Sequence, residues 1–261
     1  MDLGISGKRA LVLAASRGLG LGIAKALAAE GVHVLICGRS EDKLKANVAE
    51  IRAAGGKADF EVADLADGHF VEQMIHAVHD ILGGIDILVN NTGGPTPGTA
   101  EEMNGETLDM FFQTMVVRVI TLTNAFLPLM KTQGFGRILT VASSGVFEPI
   151  PNLALSNTLR GALVGWNKTL SSEVASYGVT ANMLLPGRIH TDRIDELDGA
   201  NAKRQGKSLD EVRAASVKSI PAQRLGTVEE FAAAGAFLCS AQASYITGTM
   251  LRVDGGASKS N

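Results

Sequence analysis

The stretch that most constrains this chain is Ala10 to Ala26, ALVLAASRGLGLGIAKA. An apolar segment of strand character enters a small-residue turn, and the chain leaves that turn as alanines and leucines suited to a helix. Gly18, Gly20 and Gly22 mark the crossing. A strand, a glycine turn and a helix in that order form a phosphate cradle. Glycines let the backbone approach a pyrophosphate closely, and the first turn of the helix offers free N–H groups at the positive end of its dipole. Small residues also occupy such turns for packing alone, so the rest of the chain has to supply the remainder of a site.

Length and charge narrow the classes. At 261 residues the chain can bury one large α/β core. Its formal charge of −3 and dispersed basic residues give no stripe for nucleic acid. No charged leader precedes an apolar core and no apolar run approaches membrane-spanning length, so a cytoplasmic protein with no membrane partner is expected. Cys37 and Cys239 read as small buried apolar residues rather than a disulfide or metal pair. His76 and His79 fall opposite the apolar face formed by Val71, Met74, Ile75, Val78 and Leu82, so no metal site is expected.

Strand-like and helix-like segments alternate to the end. Strands are expected at Val32 to Cys37, Phe60 to Ala63, Ile85 to Val89, Arg137 to Ala142, Thr180 to Leu185 and Thr249 to Val253. Ser40 is placed to cap the helix reaching Ala54, and Thr227 with Glu230 has the form of a capping box. Two long helices are predicted, one built on Leu108, Phe111, Met115, Val119, Leu122 and Phe126, the other from Ala154 to Tyr177. Strict alternation predicts a single-domain α/β fold over 1–261: a doubly wound parallel sheet with helices on both faces. The one irregular segment, 192–219, is rich in both signs of charge and reads as a solvated helical pair that can also serve as a lid.

Several of these segments together make the chain resemble the short-chain dehydrogenase/reductase family, whose fold is Rossmann-like, and within it the reductases of 3-oxoacyl thioesters. The segments are the glycine turn from Ala14 to Gly20, Asp64-Leu65, Asn90-Asn91-Thr92-Gly93, Pro186-Gly187 with Thr191, and Ile246-Thr247-Gly248 with Val253-Asp254-Gly255-Gly256. The resemblance implies a dinucleotide held by Ala14, Ser16, Arg17, Gly18, Leu19 and Gly20 at its phosphates. It further implies Asp64 and Leu65 at the adenine, Asn90, Thr92 and Gly93 beyond the fourth strand, and Pro186, Gly187, Ile189 and Thr191 at the carboxamide end. Ala14 stands where the family usually has its first glycine, and an alanine there requires a backbone angle that a Cβ permits. Gly38 and Arg39 end the second strand where an acid would select NAD. Arg39, with Arg17, offers donors to a 2′-phosphate, so NADP is the expected cofactor.

At the chemical centre the sequence departs from the resemblance. The family pattern implies an asparagine, a serine, a tyrosine and a lysine. Laid on this chain without gaps it falls on Met115, Ser143, Ser156 and Arg160. A phenol with a reference pKa of about 10 can be tuned toward working pH. An aliphatic hydroxyl is a far weaker acid, and Arg160 keeps a charge and a ribose contact without serving as a proton relay. Tyr177 and Tyr245 lie too far along the chain to substitute. His190 beside the nicotinamide end is a candidate proton source or a solvated loop residue, and Ser144 is an alternative to Ser143. Ser143, Phe147, Pro149, Ser156, Pro95, Ile194 and Leu197 are expected to frame a partly apolar pocket.

The expectation is therefore an NADP-dependent oxidoreductase acting on a small carbonyl or alcohol, with Ser143, Ser156 and Arg160 as its catalytic set. Two alternatives remain open. One is a dinucleotide-binding sensor or partner subunit without redox turnover; the other is a non-redox lyase or dehydratase. The two long helices carry more apolar surface than one sheet face can bury, and in relatives they pair with their copies, so a homo-oligomer, dimer or tetramer, is expected.

Overall fold

The computed structural model describes residues 2–259. Seven strands form one sheet: β1 (Arg9–Val12), β2 (His33–Gly38), β3 (Lys57–Val62), β4 (Ile87–Asn90), β5 (Gly136–Val141), β6 (Val179–Pro186) and β7 (Met250–Val253). Their order is β3-β2-β1-β4-β5-β6-β7 and every neighbouring pair is parallel. The chain winds outward from β1 in one direction, then returns and winds outward from β4 in the other. That reversal opens a crevice at the carboxyl ends of β1 and β4, where ligands of such sheets bind.

Nine α-helices cover the faces among the described residues: α1 (Gly18–Ala29), α2 (Glu41–Ala53), α3 (Phe70–Ala77), α4 (Gly105–Phe112), α5 (Arg118–Thr132), α6 (Ala154–Val174), α7 (Asp192–Gln205), α8 (Leu209–Lys218) and α9 (Val228–Leu238). Side chains of β1 and of the residue that follows it alternate between two cores. Ala10 and Val12 join Ile23, Leu27, Leu44 and Phe231 from α1, α2 and α9. Leu11 and Leu13 join Phe70, Met74, Leu122, Phe126 and Leu170 from α3, α5 and α6. A strand buried on both sides needs apolar residues at nearly every position, which is why β1, β2 and β4 read as almost unbroken apolar runs.

Local signals behave unevenly. Thr227 and Glu230 form the expected capping box, each side chain bonding the other's backbone N–H. Ser40 occupies the N-cap of α2, but its side chain makes no capping bond, so that expectation is corrected. The helix from Leu108 onward is interrupted by a π-helical turn, Gln113–Val117, that joins α4 to α5. Across Gly105–Thr132 this composite helix is long and apolar enough to cross a bilayer by length and composition, contrary to the expectation that no segment would be. Polar residues such as Gln113, Thr114 and Arg118 break its apolar run, and its inner side, including Met115, Val119 and Leu122, is buried in the core. Cys37 and Cys239 are buried free thiols, and burial pushes each up to about 12. His76 and His79 are exposed, and no metal-binding cluster is found among the described residues.

Candidate active site

A cavity of about 500 Å³ lies at the carboxyl ends of the strands, running from the glycine turn to the start of α6 and covered by α7. Ala14, Arg17, Gly18 and Leu19 line one end. Gly18 opens α1, so its first backbone N–H groups face that end without helical partners. Gly20 sits one layer beneath: a Cβ there would lie 2.7 Å from Asn91 Nδ2 and 2.9 Å from the Ala14 carbonyl. Asn91 Nδ2 donates to that same carbonyl at 3.2 Å, so the turn after β4 is pinned to the turn after β1. Ala14 has φ of +47°, in the left-handed region that favours glycine, so its Cβ is accommodated under strain rather than by a permissive angle.

The residues expected on the adenosine side are spread outside the cavity lining. Ser16 packs where a Cβ on Gly38 would be, 3.2 Å from its own Cβ. Arg39 and Asp64 approach to 4.0 Å on the surface, Asp64 also accepts the Ala66 N–H, and Leu65 packs on the core. Arg17 turns toward α7 and not toward Arg39: it donates to Asp192 at 2.9 Å and to Glu196 at 3.3 Å. The bond to Asp192 is the main reason its pKa is raised.

Beyond β4, Thr92 and Gly93 line the cavity while Asn90 is buried behind it. Asn90 Nδ2 donates to Thr123 at 3.0 Å and ties β4 to α5. The cavity-facing asparagine is Asn91, which sequence reasoning passed over. Pro186, Gly187, Ile189 and Thr191 line the opposite wall. Gly187 is packed so tightly on Asp254 that a Cβ would lie 2.5 Å from the Asp254 Cβ, which links this turn to the Val253-Asp254-Gly255-Gly256 segment. His190 is exposed and its backbone N–H bonds the Gly226 carbonyl, so it is a solvated loop residue outside the cavity lining.

Ser143, Ser156 and Arg160 converge on the cavity. Ser143 follows β5, and its Oγ accepts the Gly145 N–H at 3.1 Å, which leaves its O–H proton free to donate elsewhere. Ser144 lines the cavity beside it. Ser156 and Arg160 stand one turn apart on α6 and are 8% and 7% exposed. Arg160 Nη1 donates to the Val141 carbonyl at 2.7 Å. Burial, with the nearby charge of Arg193 as a smaller cause, brings its guanidinium down to about 10. Met115 is buried within the π-helical turn. Pro95, Ile194 and Leu197 line the cavity as expected, but Phe147 and Pro149 are not among its lining residues, and Phe147 instead lies under Arg252.

The cover is held by charge. Arg188 pairs with Asp198, which is almost fully buried, Arg213 pairs with Asp195, and Arg193 reaches across to the Pro95 carbonyl at 2.7 Å. The cavity wall is consequently more charged than the sequence suggested. Arg188, Arg193 and Asp198 carried no local motif that would have singled them out. Alternating charge in 192–219 was the available signal, and only the fold shows which charges turn inward.

The comparisons with known proteins agree with this architecture. A family model described as enoyl-(acyl carrier protein) reductase matches residues 13–258. The 3-oxoacyl-[acyl-carrier-protein] reductase FabG of Salmonella typhimurium is 35% identical over 256 residues, covering 97% of this chain and 98% of that protein. The NADPH-dependent reductase BacG of Bacillus subtilis is 32% identical over 258 residues, covering 98% of this chain and 100% of that one. The crystal structure of L-sorbose reductase from Gluconobacter frateurii, complexed with NADPH and L-sorbose, superposes with a TM-score of 0.94 at 30% identity, covering 100% of both chains. With the reversing seven-stranded sheet and the glycine turn at its crevice, these matches establish that the chain belongs to the short-chain dehydrogenase/reductase family of oxidoreductases.

Proposed function

We propose that this chain is an NADP(H)-dependent reductase of a small carbonyl compound that works without a phenolic proton donor. The observation that carries the reading is that one cavity joins the open N-terminus of α1 to the hydroxyls of Ser143 and Ser156. The residues fit a dinucleotide: Gly20 leaves no room for a Cβ beneath the cradle, and β2 ends in Gly38 with no carboxylate to repel a 2′-phosphate. Gly18 and Leu19 would hold the phosphates, which Arg17 would reach only by giving up Asp192 and Glu196, with Arg39 and Asp64 on the adenosine side, and Thr92, Gly93, Ile189 and Thr191 would bound the nicotinamide end. When bound, the cofactor supplies the hydride.

The chain's own residues would supply orientation and hydrogen bonds. Ser143, with its acceptor capacity partly taken by Gly145, donates its proton toward the substrate oxygen. Ser156 is too short to reach where a phenol would, so the space before it admits water, which delivers the proton along the hydroxyls. General acid help is typically worth ~10²–10⁴-fold, and orientation on a bound cofactor can contribute more, so loss of the phenol slows such a site without silencing it. The pair α7 and α8 acts as the lid. Met110 and Phe112, exposed on α4 beside a groove lined by Leu108, Leu159 and Ala162, support a homo-oligomer closed through α4 to α6.

The presence of Ser156 and Arg160 in place of tyrosine and lysine also favours a second reading: a nucleotide-binding protein without redox turnover, or a lyase on the same scaffold. Calorimetric titration with NADPH and NADH, followed by anaerobic turnover on ketones, quinones and oxoacyl thioesters, separates the two. NADPH binding with oxidation of the cofactor on any substrate supports the reductase. Binding without turnover on the whole panel moves the assignment to the second reading, and failure of both nucleotides to bind removes the first.

A further inference from the structure

Two arginines are buried among the described residues, and they are treated differently by their surroundings. Arg137 has its guanidinium bonded to the carbonyls of Ser240, Gly136 and Gly178 and stacked on the Phe135 ring at 4.2 Å. Arg160 has one carbonyl, Val141, and no carboxylate within ion-pair distance among the described residues. A second cation, Arg193, lines the same cavity and disfavours its charge further. Buried charges are ordinarily paired, because removing an ion from water costs far more than a single neutral hydrogen bond returns.

The rest of the cavity does not supply the missing charge. Five arginines and two aspartates line it, in a chain whose overall charge is −3. Both aspartates are already engaged, Asp192 by Arg17 and Asp198 by Arg188. Arg193 has only a 3.5 Å approach to Glu196, and its second contact is the neutral Pro95 carbonyl. Arg160 therefore stands without a carboxylate one helical turn from Ser156, in the cavity that Ser143 and Arg193 also line.

From this we infer that Arg160, assisted by Arg193, is the receptor for a carboxylate on the substrate, so that the compound reduced is an oxo acid in its ionised form. A ribose hydroxyl is neutral and leaves the charge uncompensated, whereas a carboxylate both neutralises it and matches the planar fork of a guanidinium. The inference rests on the reductase reading for the carbonyl, but the carboxylate site stands on binding alone.

The test is calorimetric titration of the full chain, saturated with NADP⁺, with 4-oxopentanoate and with its neutral methyl ester, alongside a titration with NADPH. The acid is expected to bind at least about tenfold more tightly than the ester. That ratio is expected to collapse to near one in Arg160→Gln and to persist in Arg160→Lys, with circular dichroism checking that each variant is folded. Because the comparison of acid with ester is made first on the unaltered chain, it does not depend on either variant folding. Equal binding of acid and ester overturns the proposal, as does a preference that survives in folded Arg160→Gln. Loss of acid binding on loading with NADP⁺ also overturns it, because the anion site then belongs to a cofactor phosphate. If NADPH does not bind while the unloaded chain still prefers the acid, the reductase reading fails and the carboxylate site stands.

Discussion

Ala14 and Ser143 illustrate how much a single residue decides in this site. Ala14 holds a left-handed backbone with a Cβ, a conformation that costs an L-residue roughly 1–2 kcal/mol, against which glycine's larger loss of chain entropy must be set. Ala14→Gly is expected to raise the unfolding free energy by about 0.5–1 kcal/mol, visible as a higher urea midpoint at unchanged slope. Ser143→Ala removes the one donor whose proton is released by a backbone partner. It is expected to lower kcat on any accepted carbonyl by ~10² while leaving NADPH affinity within a small factor, a split that steady-state kinetics and titration can resolve. A purely structural Ser143 would lower the melting temperature and leave the kcat of the folded fraction intact. Such residues were only half legible in the sequence: the register of the family pattern located Ser143, Ser156 and Arg160, but not the strain at Ala14 or the pairing of Arg17 with α7. Both are consequences of three-dimensional closure that a linear motif does not encode.

At the level of elements, α7 and α9 are fastened by different kinds of charge. Asp198 on α7 is almost fully buried against Arg188, and truncating it leaves that guanidinium without its partner. Asp198→Ala is expected to cost roughly 2 kcal/mol, below the usual range for a fully buried pair because Arg188 keeps partial access to water. Hydrogen exchange should show the loss as faster exchange confined to α7 and α8. On α9, Glu230 caps Thr227 and pairs with Arg224, and the Arg224 bond, followed by the Thr227 N–H, depresses its carboxyl to about 2. A depressed carboxylate adds stability above its unfolded pKa and loses it as pH falls through the folded value. The difference in stability between the parent and Glu230→Gln should therefore be constant above pH 5 and shrink toward zero from about 4.5 to about 2, as thermal melts across that range can check. The inner strands and the helices were readable from periodicity, since β1, β2 and β4 are apolar at nearly every position and each long helix repeats its stripe, whereas β3 alternates Lys57, Asp59 and Glu61 with Ala58, Phe60 and Val62. The π-helical turn at 113–117 was not, because an inserted residue in a helix changes which side chains face inward without altering composition.

For the molecule as a whole, the reversing strand order does most to explain where chemistry can happen. It was accessible from alternation alone, because right-handed crossovers leave few other arrangements. The outer surface of α4 is the matching question: a chain assembled through Met110 and Phe112 should be a dimer or larger by light scattering, and Phe112→Glu should shift it toward monomer with its circular dichroism unchanged. A monomeric parent at micromolar concentration would count against that assembly. The contact of Gly20, Asn91 and the Ala14 carbonyl bears on a different matter, the way such a protein can diverge. Two segments 77 residues apart in the chain share one small volume, so a larger residue at Gly20 is tolerated only if Asn91 gives up its bond or the turn at Ala14 moves. Descendants of this sequence should therefore exchange these positions together or not at all, while on the charged cover only the positions outside Arg193 and the Arg188–Asp198 and Arg213–Asp195 pairs are free to drift.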